Sequence, residues 1–303
     1  MTPLRPLYIY LLLWSLFALA LLCALRFGTA QMSAEALLHG DAGLLSGRGF
    51  RAVCAMTVGA ALAVSGLMLQ SLTGNPLADP GITGINAGAA LMAVATAQFV
   101  PSASAGVVMV SAIAGAGLAG LALWLLAGGD AGLGGESIAL RLPLAGLAIE
   151  ALCLSLAMML ILTDAQSQAR YLHWISGAIP PVSRGEAVPL LTICGALGAG
   201  IFLCNRLALL TLGADQSHSL GRNPRVTISL TLALVTVLSG ASVAIVGPIA
   251  FLGLLVPFVA RGLAGPALRR GEIDAGLILA MFGGVGLVAV LARLLPRGAG
   301  VRT

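Results

Sequence analysis

Residues Gly59 to Leu91 read GAALAVSGLMLQSLTGNPLADPGITGINAGAAL, and their reading decides the fold. The first half is apolar enough to cross a bilayer, and so is the run beyond the loop. Between them, Gly74 to Ala90 interposes two prolines, two asparagines and an aspartate. Asn75, Pro76, Pro80 and Gly81 cannot continue a helix, so the chain turns there, at the membrane surface. Asp79 precedes the next apolar run and can set its carboxylate near the positive N-terminus of that helix. Gly84 and Gly88 come next at G-x-x-x-G spacing, which allows a neighbouring helix to approach closely. A plain hairpin between two spans needs only a short polar turn, so this loop is built for more than turning.

Outward from this stretch the chain keeps the same character. It has 303 residues, 59% hydrophobic and only 9% charged, with a mean hydropathy of +1.03. A soluble domain carries about a quarter charged residues, so the bilayer is the solvent here. All 16 basic residues are Arg, and the net charge is +5. Those arginines are scattered between apolar spans, which fits membrane topology and argues against a nucleic-acid partner. Cys23, Cys54, Cys153, Cys194 and Cys204 lie in or beside apolar segments without a C-x-x-C pair. They read as packing residues rather than as a disulfide frame or a metal site.

Apolar windows fall at about 7–25, 52–72, 82–100, 105–126, 142–163, 187–204, 226–246, 249–264 and 275–295. The expected architecture is therefore all-α and transmembrane, a polytopic bundle of about nine spans in one membrane domain, 1–303. The first window is too long for a signal-peptide core and reads as a retained span. The eighth is the weakest, being short and carrying Pro257. With the N-terminus inside, Arg5, Arg141, Arg206, Arg222, Arg225, Arg261, Arg269 and Arg270 fall on the cytoplasmic side. Arg26, Arg48, Arg51, Arg170 and Arg184 fall outside, so the bias favours N-inside. Arg293, Arg297 and Arg302 in the tail then join the outer set and remove the margin.

One echo runs through the chain. GAALAVSG (Gly59 to Gly66) and GASVAIVG (Gly240 to Gly247) share the pattern G-A-x-x-A-x-x-G, in spans of opposite expected direction. Such pairs mark an inverted repeat, common in transporters. Chance is the alternative in a chain so rich in Gly and Ala.

The Gly59–Leu91 stretch resembles the permease subunits of type II ABC importers, the family that carries ferric siderophores, haem and vitamin B12. The resemblance continues in LGADQSHSLG (Leu212 to Gly221) and GPIAFLGLLVPFVARGLAGPALRR (Gly247 to Arg270), three motifs in the family's order. It implies a homodimer or paired permease with the pathway at its interface and two cytoplasmic ABC ATPase subunits. It further implies a periplasmic or lipid-anchored binding protein that delivers the substrate. No cofactor is expected on this chain, and it is not an enzyme. It has no lysine and hence no G-x-x-x-x-G-K-[ST] loop, so ATP and Mg would be used by the partner ATPase. NPLADPGITGIN followed by AGAA is most similar to the ferric-siderophore branch, with vitamin B12 or haem the alternative cargo. The cell (inner) membrane is the expected location.

The resemblance also assigns residues. Leu212, Gly213, Ser217, Leu220 and Gly221 belong to a cytoplasmic coupling loop, about 209–225, that meets the ATPase. Arg48, Arg51 and Arg293 stand where relatives present arginines to acidic residues of the binding protein, and the alternative is that they anchor helix ends among headgroups. Asn75, Pro76, Asp79, Pro80 and Gly81 form the structural motif of the first loop. Three departures accompany these. Phe258 replaces the histidine of a V-P-H motif, Ala289 replaces an acid in the ninth span, and the family's tenth span is missing before Thr303. Phe50 also stands where an R-x-P-R segment has its proline.

Glu150 lies inside the fifth span, nine residues past Arg141. A carboxyl group within a membrane is costly and marks a candidate pathway residue, or else a protonated Glu bonded to a neighbouring helix. His173 and Trp174 read as packing residues and His218 as a solvated loop residue. Two other classes remain open on the sequence, a secondary transporter driven by an ionisable group such as Glu150, and a shortened, non-transporting remnant.

Overall fold

The run from Ala42 to Thr73 contains no proline and ends at Gly74, which has φ +63°. It accordingly forms one helix, α1, of 32 residues, about 48 Å long and longer than the ~30 Å hydrocarbon core. Its portion apolar enough to cross a membrane begins at Gly49. The computed structural model describes residues 42–100, 102–129, 137–163, 187–210 and 223–264, with Ser15, Ala18, Gln168 and Tyr171 as isolated positions. Regular structure among the described residues is entirely helical.

After α1 comes a single 3-10 turn, Pro80–Thr83, and then α2, Ile85–Phe99. Next are α3, Ala105–Leu126, α4, Ser137–Ile161, and α5, Ala187–Leu210. The last two are α6, Pro224–Val246, and α7, Leu252–Ala264. Helices α1, α3, α4 and α6 are long and apolar enough to cross a membrane. The chain is a multi-pass membrane protein.

Glycine sets the packing and its register. A Cβ on Gly88 of α2 would run into Ala119 and the Gly115 carbonyl of α3, while Gly115 in turn abuts Met92. Numbers rising on α2 therefore meet numbers falling on α3, and the pair is antiparallel. By the same logic Ala116 faces Gly240, Gly120 faces Thr236, and the Trp124 indole N–H donates to Ser229 Oγ at 3.1 Å. So α3 is antiparallel to α6 as well, and α2 and α6 run the same way. This alternation agrees with the directions expected from the span order.

Helices α1 and α6 supply much of the core, in which Val58, Ala61, Ala63 and Val64 of α1 cluster with Val235, Leu238 and Ala241 of α6. The best apolar window of α1 is 78% buried and that of α4 only 28%. Leu140, Leu144, Leu147, Leu152 and Met159 of α4 are all exposed. In a bilayer this is the ordinary arrangement, because lipid tails solvate such faces.

Several boundaries differ from the sequence reading: the fifth span, expected at 142–163, is α4, Ser137–Ile161, and the one expected at 187–204 is α5, Ala187–Leu210. The apolar pattern puts the second span at 52–72, but α1 starts at Ala42, so Arg48 and Arg51 sit within a helix rather than in a turn before it. Phe50 in place of proline permits this, since a proline there would remove a helical N–H. The third span begins with Ile85, because Gly84 at φ +76° separates the 3-10 turn from α2. The eighth span is shorter than 249–264: α7 has 13 residues, about 20 Å, which is less than the membrane core. The spans expected at 7–25 and 275–295 lie outside the described residues, as do His173, Trp174 and His218.

Candidate functional site

Both ends of the opening loop are fixed by its own polar residues. Asn75 Oδ1 accepts the Leu77 N–H at 2.9 Å, and the Asn75 carbonyl accepts the Ala78 N–H at 3.1 Å. Pro76 and Leu77 form an exposed tip, and the chain then turns back inward so that Ala78, Asp79 and Pro80 are buried. Pro80 opens the 3-10 turn with its preset φ. The next helix, α2, starts inside the bundle: Asn86 Oδ1 accepts the Ser239 hydroxyl at 2.9 Å. Ser239 lies seven residues before the end of α6, roughly 10 Å of helix.

From the other side comes the segment after α6. Gly247 has φ +86° and ends the helix, and residues 248–250 are irregular. Phe251 has φ +67°, the one non-glycine among the described residues with positive φ, a strain of about 1–2 kcal/mol. Helix α7 starts immediately afterwards.

The two segments meet at Asp79. Its Oδ2 accepts the Gly81 N–H of the 3-10 turn at 3.0 Å and the Phe251 N–H at the start of α7 at 3.1 Å. The N–H groups of Gly253 and Leu254 are also turned toward this carboxylate. The starts of the 3-10 turn and of α7 therefore both donate N–H groups to one buried carboxyl group, which partly offsets the cost of burying it. The sequence alone sets Asp79 at the start of the third span, and the structure adds a second helix start 172 residues further along the chain.

Two further side chains complete the clasp. Gln70 Nε2, on α1, donates to the Ala78 carbonyl at 3.2 Å and to the Gly253 carbonyl at 3.3 Å. Asn86 Nδ2 donates to the Ile249 carbonyl at 3.2 Å. Irregular backbone at this depth needs such partners, since lipid offers none. Close approach is secured by glycine: a Cβ on Gly253 would lie 2.7 Å from Asp79 Oδ1 and from Pro80 Cδ. Sequence reasoning misses Gln70, Asn86, Ser239 and Gly253. For Gln70 and Asn86 the signal is an amide within an apolar run, as in LMLQSL, without any indication of its partner.

Helix α4 lies against the same turn. A Cβ on Gly146 would approach the Ile82 carbonyl and, at 2.8 Å, Thr83 Cα. Gly84 abuts the Gly146 carbonyl and Ile149, each 2.8 Å from its would-be Cβ. So the G-x-x-x-G pair serves two neighbours, Gly84 facing α4 and Gly88 facing α3. Glu150 follows Ile149 and is half-buried.

Of the other expected site residues, Asn75, Pro76, Asp79, Pro80 and Gly81 come together in the loop. Arg51 is exposed, its Nε 3.4 Å from the Gly47 carbonyl one turn back. Arg48 lies one turn from it on α1. Leu212, Gly213, Ser217, Leu220, Gly221 and Arg293 lie outside the described residues.

A bundle of membrane-crossing helices with two interrupted segments joined inside it is the architecture of a membrane transport permease. The chain belongs to the FecCD transport family, whose profile matches residues 12–298. It is 37% identical over 220 residues to the Fe(3+) dicitrate transport system permease protein FecC of Escherichia coli (strain K12). That match takes in 71% of this chain and 64% of FecC, so the chain covers less than two thirds of that relative's length. The ferric enterobactin transport system permease protein FepD of the same organism is 35% identical over 267 residues, 84% of this chain and 78% of FepD. A solved chain described as a metal-chelate type ABC transporter in an inward-facing conformation superposes with a TM-score of 0.79 at 22% identity. That superposition covers 94% of this chain and 88% of the other, and it supports the helical membrane fold.

Proposed function

We propose that the chain is the permease subunit of an ATP-driven importer of ferric siderophores in the cell (inner) membrane. Two permease subunits would form the pathway, with two cytoplasmic ATPase subunits powering it and a periplasmic or lipid-anchored protein delivering the chelate. The observation that carries this reading is the Asp79 clasp. It joins two of the three segments by which the chain resembles such permeases, within a chain whose family relatives include proteins named as iron-chelate permeases. The chain's own role is non-covalent, and ATP hydrolysis belongs to its partner.

The coupling loop tests the reading. Ser217→Arg or Leu220→Arg should abolish co-purification of the ATPase subunit while membrane insertion remains at wild-type level. Uptake of ferric chelate should fall with it. Undiminished co-purification in both variants would remove the loop from that role, and absence of any ATPase partner from the wild-type complex would refute the importer reading.

A further inference from the structure

Phe251 carries its φ of +67° at a place where chains usually enter a helix differently. Its carbonyl accepts the Leu255 N–H at 2.9 Å, so Phe251 is the residue that caps α7. A capping residue normally has an extended backbone at negative φ. For a residue with a Cβ the left-handed form is costly and persists only where its surroundings impose it. Side-chain packing does not impose it here, since Phe251 is 63% exposed. The restraint acts on the backbone instead: the Phe251 N–H donates to Asp79 Oδ2 at 3.1 Å.

Bonds from three other parts of the chain straddle this residue. Before it, the Ile249 carbonyl accepts Asn86 Nδ2 of α2 at 3.2 Å. At it, Asp79 of the loop takes the N–H. After it, the Gly253 carbonyl accepts Gln70 Nε2 of α1 at 3.3 Å. With the chain pinned upstream at Ile249, the φ and ψ of Phe251 set the direction in which α7 leaves. Freed from the carboxyl group, residue 251 gains by returning to negative φ, and α7 turns with it.

We infer that Phe251 is the strained pivot of α7 and Asp79 its latch. In the latched state the carboxyl group holds residue 251 left-handed while Gly253 sits against Gly66. In the released state the N–H leaves Asp79, Phe251 relaxes, Gln70 lets go of Gly253, and α7 turns away from α1. Gly66 and Gly253 meet backbone to backbone, so no side chain has to be withdrawn at that contact. The device is independent of the importer reading and stands or falls without it.

Spin-label distances on the full chain, with its native cysteines replaced, test this. Nitroxides at Leu230→Cys on α6 and Phe258→Cys on α7, both exposed positions, report the direction of α7. Valine, being β-branched, tolerates positive φ least, whereas glycine tolerates it freely. Phe251→Val should therefore raise the released population at least about tenfold over Phe251→Gly, with the wild type between them. Asp79→Ala, which removes the acceptor, should raise it as well, and adding Phe251→Gly should lower it again. One distribution shared by the Gly, wild-type and Val chains overturns the pivot, and a wild-type distribution in Asp79→Ala overturns the latch. The variants at 251 leave the buried cluster intact, so they decide the matter even if Asp79→Ala does not fold. Melting of the unlabelled chain checks the strain itself. Phe251→Gly should raise the Tm by roughly 2–4 °C, whereas Phe258→Gly, 61% exposed but inside α7, should lower it. Equal shifts in the two variants overturn the proposal.

Discussion

Gly66 of α1 lies so close to Gly253 of α7 that a Cβ on Gly66 would land on the Gly253 carbonyl. The contact places the first turn of α7 against the backbone of the most buried helix, within reach of Asp79 and Gln70. Gly66→Ala must therefore displace backbone, and a cost of at least about 1–3 kcal/mol is expected. Thermal unfolding of the detergent-solubilised chain, followed by monodisperse recovery, measures it. Gly117→Ala is the control, since nothing lies within 4 Å of a Cβ there and helix propensity favours Ala by roughly 0.5–1 kcal/mol. Equal behaviour of the two variants would contradict this packing of α1 on α7.

Asp79 should be irreplaceable by a smaller or apolar residue. Asp79→Ala leaves the N–H groups of Gly81 and Phe251 without an acceptor, at about 1–3 kcal/mol per buried group. Asp79→Asn keeps an acceptor oxygen but loses the charge facing two helix N-termini, so a smaller loss is expected. Melting temperatures in the order wild type, Asn, Ala are the prediction. The reverse order of the two variants would show that the carboxylate is merely tolerated.

Coupling should appear between Asn86 and Ser239. Each single change to Ala leaves one buried polar group unpaired, whereas the double change removes both members of the 2.9 Å bond. A double-mutant cycle should return an interaction energy of about 0.5–3 kcal/mol. Asn86→Ala alone should be the more damaging, because Asn86 also donates to the Ile249 carbonyl. Strict additivity would mean that the bond contributes nothing.

Gly84 combines two demands, a φ of +76° and contact with Gly146 and Ile149. Replacement by Ala should destabilise by more than the conformational strain of about 1–2 kcal/mol alone. Gly84→Ala and Gly146→Ala should each loosen α4 from the 3-10 turn, read as faster amide exchange of residues 145–150. Unaltered exchange in both variants would detach α4 from the clasp.

Arg48 and Arg51 give a prediction at the other end of α1. If they meet acidic residues of a delivery protein, Arg48→Glu with Arg51→Glu should slow docking and weaken its salt dependence. Each exposed pair contributes on the order of 1 kcal/mol or less. Surface-plasmon association rates at two ionic strengths measure this. Docking of the double variant at the wild-type rate in low salt would leave the arginines as helix-end anchors.

The sequence by itself determined the solvent, the helical class, the family and most of the span positions. Those properties arise from local apolarity and from short-range rules for proline and glycine, which act over a few residues. It also located the loop at Asn75–Gly81, since Pro76 and Pro80 forbid a continuous helix wherever they stand. Only the tertiary structure decided what that loop is for. Gly59–Gly66 and Gly240–Gly247 look alike, yet α1 runs straight through Gly66 to Thr73 while α6 stops before Gly247. Beyond the shared pattern Gly66 is followed by Leu67, whereas Gly247 is followed by Pro248, which disfavours helix at the residue before it, and the segment after it reaches Asp79 and Asn86. The same local pattern thus has two outcomes. A carboxylate's or amide's partner is set by which distant backbone groups the packed helices bring within about 3 Å, and no periodicity in the chain encodes that distance.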